Sequence, residues 1–127
     1  MEPVFLTLSE VLEIHQDQID RYGGEPGVRD LSLLQSAVAM PAAGFGDSYL
    51  HRDLFEMAAA YLFHITQNHP FVDGNKRVGA VAAIVFLSMN NVEVTVDEES
   101  LECAVLSVAQ GKWDKAKVAE LFRNHSH

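Results

Sequence analysis

Nine consecutive residues, His69-Pro70-Phe71-Val72-Asp73-Gly74-Asn75-Lys76-Arg77, hold most of the chemistry this chain offers. They bring together a titratable base, a carboxylate, a glycine, an amide and two cations. His69 is the side chain of this stretch whose ordinary pKa lies near neutrality, which makes it the candidate general base. Asp73 has the charge and hardness to hold magnesium against phosphate oxygens. Gly74 permits a turn that other residues avoid and lets a ligand come close. Asn75 suits either helix capping or phosphate oxygens. Lys76 and Arg77 put two positive charges in a first helical turn, where the helix dipole disfavours cations, so an anion is expected to offset them. Free N–H groups at a helix N-terminus attract phosphate in the same place. Singly, each residue has a plainer role: a loop histidine, an Asp-Gly turn, a solvated pair of cations. Together, at the start of an apolar helix, they point to an anion site.

The elements that must position this stretch are helical. Before it, Asp53 opens a segment in which Leu54, Met57, Ala58, Tyr61, Leu62 and Ile65 recur on one face. That helix stops near Asn68, because Pro70 disfavours helix at the residue before it. After it, Asn75 opens a helix that is apolar nearly all round from Val78 to Met89, which predicts a central, buried position. Upstream, Thr7 and Glu10 have the capping-box spacing, and a helix is predicted from there to Gly23-Gly24. Asp30 caps a second helix, which Pro41 closes. Residues 41–51 have no period and read as a loop. Val92–Val96 alternates and suits a short extended piece. Asp97 caps a helix ended by Gly111, and a last helix is expected from about Asp114 to Phe122, with a frayed tail from Asn124. The expected fold is all-α: one compact helical domain over residues 1–127, with a buried central helix following the motif loop.

Composition narrows the partners. The 127 residues are 48% hydrophobic and 21% charged, ordinary values for one globular domain. With 9 basic and 18 acidic residues the net charge is −9. That argues against direct nucleic-acid binding and against docking on an anionic membrane. The longest apolar run, Val78–Leu87, is far short of the ~20 residues of a membrane span. Met1-Glu2-Pro3 lacks the basic start of a signal peptide. Cys103 is the single cysteine, so no internal disulfide forms, and a reducing, cytoplasmic setting is expected.

The nine-residue stretch resembles the signature of the Fic/Doc family, His-Pro-Phe-x-Asp/Glu-Gly-Asn-Gly/Lys-Arg. The length, the Arg21-Tyr22-Gly23-Gly24 loop and the Leu54-Phe55-Glu56 helix are similar to the small Doc (death-on-curing) branch, the toxin half of a toxin–antitoxin pair. The resemblance implies that His69 activates a hydroxyl of a target protein. It implies that Asp73 binds magnesium with the nucleotide phosphates, making ATP and magnesium the expected cofactors. Gly74 and Asn75 then cradle phosphates, Arg77 contacts phosphate, and Phe71 anchors the loop in the core. The catalytic set is thus His69, Asp73 and Arg77, and the nucleotide-binding set is Phe71, Gly74, Asn75, Lys76 and Arg77.

Two departures from the larger Fic pattern bear on the reaction. Adenylylating Fic proteins have glycine where this chain has Lys76, and a second arginine where it has Ala80. The resemblance to Doc therefore implies transfer of the ATP γ-phosphate to a protein hydroxyl, with elongation factor Tu as the target and arrested translation as the outcome. AMP transfer and a non-catalytic antitoxin-binding module are the alternatives. The inhibitory Ser/Thr-x-x-x-Glu-Gly/Asn segment of many Fic proteins is not matched: Ser9–Glu13 is followed by Ile14, and Thr95–Glu99 by Ser100. Control is then expected from a Phd-type antitoxin whose C-terminal segment folds on the toxin.

The remaining candidates are weaker. His64 and His69 have the wrong spacing for a zinc-binding helical pair. His15 and His51 have no partner at ligand spacing. Trp113 is expected as a core anchor, Cys103 as a small buried residue on an apolar face, and Tyr49 and Arg52 as solvated loop residues.

Overall fold

The computed structural model describes residues 2–127. Helix α1 (Leu8–Tyr22) starts at Thr7, whose hydroxyl accepts the Glu10 N–H while the Glu10 side chain accepts the Thr7 N–H. Helices α2 (Leu31–Ala39), α3 (Leu54–Asn68), α5 (Glu98–Ala109) and α6 (Lys115–Asn124) start at Asp30, Asp53, Asp97 and Asp114. In each, the aspartate accepts a first-turn N–H that the helix leaves unpaired. Helix α4 (Asn75–Met89) starts differently, at Gly74, with no side chain on its first N–H groups.

α3 and α4 form the centre. α3 packs against α2, α4, α5 and α6. α4 buries Val78, Ala82, Ala83, Phe86 and Leu87, as its all-round apolar pattern predicts. Small residues let the two helices come close. A Cβ added at Gly79 would meet Thr66 Oγ1 at 3.0 Å and the Leu62 carbonyl oxygen at 3.1 Å. This contact fixes the distance between the end of α3 and the start of α4, and therefore the span of the motif loop. Tyr61 ties the N-terminal segment to the same core, its hydroxyl accepting the Leu6 N–H at 2.9 Å.

Three segments differ from the sequence expectation. Residues 41–51 hold a short 3-10 turn (Met40–Ala42) and a two-stranded hairpin, β1 (Gly44–Phe45) and β2 (Ser48–Tyr49), paired antiparallel with Gly44 opposite Tyr49. The strands are too short to show a period. The tail is tied down rather than frayed: Val94 bridges Ser126, the Thr95 N–H donates to the His125 carbonyl, and the His127 N–H donates to that of Glu93. The alternating 92–96 segment thus pairs with the last residues, a non-local match that no local pattern signals. Cys103 is exposed. The buried stripe of α5 runs through Ala104, Val105 and Val108, and Cys103 falls beside it.

Tyr49 and Arg52 lie before the N-terminus of α3, the far end from the motif, as solvent-facing residues. Trp113 is half-buried against the core, with the Lys117 ammonium over its ring. Among the described residues no helix is long and apolar enough to cross a membrane.

His51 and His64, distant in sequence, meet at α6. Lys115 Nζ donates to Nε2 of both, at 3.2 and 3.0 Å. Burial, then the Lys115 charge, lowers the His64 pKa from 6.5 to about 4. The same two causes lower that of His51, and burial lowers that of Lys115. A histidine kept neutral in the fold binds its proton more readily when unfolded. Its contribution to stability is therefore complete above the unfolded value and is lost as pH falls toward the folded one.

Two outcomes follow for stability. Chemical denaturation at a series of pH values should show the protein losing stability between pH 6.5 and about 4, and His64→Gln should flatten that loss. Gly79→Val should cost about 1–3 kcal/mol in the same measurement by wedging α3 from α4. A neutral effect would mean that the two helices are not held at this spacing.

Candidate functional site

The motif loop begins where α3 must stop. His69 caps α3 in the left-handed conformation, φ 48°. Arg29 holds this end, its guanidinium donating from Nε to the His69 carbonyl at 2.7 Å and from Nη2 to that of Asn68 at 3.0 Å. These are carbonyls the helix leaves unpaired, and a cation suits that end of the dipole. The loop then runs beside residues 27–30. Val28 bridges Phe71, and the N–H groups of Arg29 and Asp30 both donate to the Pro70 carbonyl.

Asn75 closes the loop from inside. It is 5% exposed. Its Oδ1 accepts the Phe71 N–H at 2.9 Å, and its Nδ2 donates to the Phe71 carbonyl at 3.0 Å. That pairing fixes which way the amide points. Nδ2 also lies 3.2 Å from His69 Nδ1. A neutral imidazole accepting there carries its proton on Nε2. The other tautomer frees Nε2 to take a proton and gives up the bond from Asn75. Phe71 itself is 1% exposed and sits in the core. The side chains of Asn75 and Phe71 are thus occupied within the loop, and what Asn75 can offer an anion is its backbone N–H.

The motif borders a cleft of about 790 Å³. His69, Asp73, Gly74, Lys76 and Arg77 line it from the motif, Gln18 and Tyr22 from α1, and Glu98, Leu101 and Glu102 from α5. Asp73 Oδ1 accepts the Gly74 N–H at 2.8 Å, and its Oδ2 accepts the Glu25 N–H at 3.2 Å. These donors, with the nearby Arg77 charge, hold the carboxyl below the usual carboxylate range. Gly24 allows this approach: a Cβ there would stand 2.7 Å from Asp73 Oδ2. Arg77 donates from Nη2 to the Gly23 carbonyl at 3.0 Å and lies over the Tyr22 ring. Gly74, at φ 82°, leaves the first N–H groups of α4 without side-chain acceptors, in the same cleft.

Asp73 is exposed, ionised and has lone pairs left over. Among the described residues no group of three or more His, Cys, Asp or Glu side chains converges. One exposed carboxylate beside uncapped helix N–H groups fits magnesium, which takes few protein ligands and completes its shell with phosphate and water.

A protein-family model described as the Fic/DOC family matches residues 5–87, well over half of the chain. The chain belongs to the Fic/Doc family. Over 114 residues it is 32% identical to a protein named protein kinase doc from Escherichia phage P1, covering 90% of this chain and 89% of that protein. Over 76 residues it is 43% identical to a protein named toxin Doc from Mycolicibacterium smegmatis, covering 60% of this chain and 58% of the other. Within the family frame, Arg29, Gly24 and the Glu25 N–H are among the residues the motif alone did not signal. They act through the backbone or across long separations. Only the Gly23-Gly24 pair marked their place in the sequence.

Removing the internal clamp tests this assembly. Asn75→Ala should lower stability by about 1–3 kcal/mol, since the buried Phe71 N–H and carbonyl both lose a partner. Thermal melting measures it, and an unchanged melting temperature would show that the loop does not depend on the amide.

Proposed function

We propose that this chain is the toxin of a toxin–antitoxin pair and transfers the γ-phosphate of ATP to a hydroxyl of a protein target, elongation factor Tu. The observation that carries this reading is the cleft in which His69, Asp73 and the uncapped start of α4 with Lys76 face one another. The relative named protein kinase doc, similar over most of its length, supports phosphate transfer. The relative named toxin Doc supports a toxin. Ala80 lines the cleft where adenylylating members have a second arginine, and Lys76 replaces their glycine. Both differences favour phosphate transfer over AMP transfer.

In this reading the α4 N–H groups and Lys76 hold the nucleotide phosphates, with Arg77 braced against Gly23 beside them. His69 takes the proton of the target hydroxyl. The freed oxygen attacks the γ-phosphorus, the bond to the bridging oxygen breaks, and ADP leaves. Asp73 would hold magnesium, which when bound neutralises charge on the transferring phosphate. Fixed N–H groups and cations aimed at that charge are the main catalytic resource of such a site. A Phd-type antitoxin belongs to the same proposal. The cleft edge carries exposed apolar surface at Tyr22, Val72 and Leu106 for an amphipathic segment to cover.

Intact mass spectrometry of purified elongation factor Tu, incubated with this protein, ATP and magnesium, tests the reaction and the target together. A gain of one phosphate is expected. His69→Ala should slow it ~10²–10⁴-fold, the usual worth of a general base, while leaving melting nearly unchanged because the side chain is exposed. A gain the mass of AMP would refute phosphate transfer, and no gain would refute this target.

A further inference from the structure

α1 lies outside the motif in sequence, yet it sends one buried polar side chain into the motif loop. His15 is 4% exposed. Its ring lies flat on that of Phe71, with centroids 3.9 Å apart and planes 5° from parallel. Its Nε2 is 2.9 Å from the Asp73 carbonyl oxygen. A carbonyl oxygen only accepts, so Nε2 is the donor and carries the proton.

The bond acts on a particular peptide. The Asp73–Gly74 unit leads from the carboxylate into α4. In a trans peptide the carbonyl and the N–H point opposite ways. With the carbonyl drawn toward α1, the Gly74 N–H faces the exposed side, where it donates to Asp73 Oδ1 at 2.8 Å. Turned about, the same unit would aim a carbonyl oxygen toward the start of α4, where phosphate is to bind. Glycine makes that reversal easy, because Gly74 tolerates both signs of φ. Something outside the loop must choose the orientation, and among the described residues the side chain bonded to this carbonyl is that of His15.

We infer that His15 is a positioning residue for the phosphotransfer site: it holds the Asp73–Gly74 peptide so that the Asp73 carboxylate and the first N–H groups of α4 face the cleft together. It touches neither nucleotide nor target and acts through Asp73 and Gly74. The inference rests on the phosphotransfer reading for its functional consequence and on the His15 bond for its geometry.

Two substitutions separate positioning from packing. His15→Phe keeps a ring against Phe71 and removes the donor. His15→Gln loses the ring but places an amide N–H near the position of Nε2. Measured with elongation factor Tu as acceptor, His15→Phe should lower kcat about tenfold or more, the worth of one lost bond to a buried carbonyl. It should also diminish the rise in melting temperature that magnesium with a non-hydrolysable ATP analogue gives the wild type. His15→Gln should recover most of both. A packing role predicts the reverse order, and that order, or equal losses in the two variants, would overturn the inference. Should His15→Phe not fold, the wild-type protein still decides. A long-range ¹H–¹⁵N spectrum of the histidine rings should show His15 as the Nε2–H tautomer, and an Nδ1–H tautomer would overturn the inference. If the wild type neither transfers phosphate nor melts higher with the nucleotide, the phosphotransfer reading fails, and the tautomer then decides the geometry alone.

Discussion

The site depends on one buried amide. The chain must leave α3, reverse, and enter α4 within six residues, and a loop that tight leaves backbone groups inside the protein with no helix to pair them. The Asn75 side chain pairs both polar groups of Phe71 at once. With that segment satisfied, Pro70 and Phe71 can be buried, and the residues flanking the pair, His69 and Val72, stay exposed. His69 and Asp73 reach solvent because Phe71 and Asn75 between them do not. The division of the motif into anchored and exposed positions is thus a consequence of where its backbone hydrogen bonds go.

A second constraint comes from outside the loop. α1 and the glycine turn after it form the wall the loop leans on. Arg77 is tied to the Gly23 carbonyl, Asp73 to the Glu25 N–H, and the Asp73 carbonyl to His15. Each of these bonds would be weak alone in water. Together they cross-brace a short loop between two segments that the core already holds. The carboxylate stays ionised because the N–H groups beside it prefer the charged form. The start of α4 stays open because glycine, with no side chain, stands where the other helices have an aspartate or threonine.

Helix starts were legible in the sequence because their cause is local. Thr7, Asp30, Asp53, Asp97 and Asp114 each act within their own first turn. The motif was legible because its residues are contiguous. What escaped was non-local. Nothing near His51 or His64 indicates that Lys115 will stand between them. The tail pairs with residues 93–95 through main-chain groups that every sequence has. Cys103 was misplaced by one step around a helix whose apolar stripe is narrow. Phe71 as the anchor of the loop followed from the family resemblance, whereas the role of Asn75 as an internal support came from following hydrogen bonds, since an asparagine at a helix start is equally suited to face inward or outward.

The packing of α6 on α3 sets an order on the protein's own synthesis. α3 (Leu54–Asn68), which His69 caps, is made well before residues 115–124. Its face toward α6 receives Val118, Ala119 and Phe122, which are fully or almost fully buried in the finished fold. Until that segment leaves the ribosome, the helix that leads into the motif has an uncovered apolar side, and His64 lacks its lysine. A nascent chain with the entire motif already translated therefore still has α3 bare along the face that α6 covers.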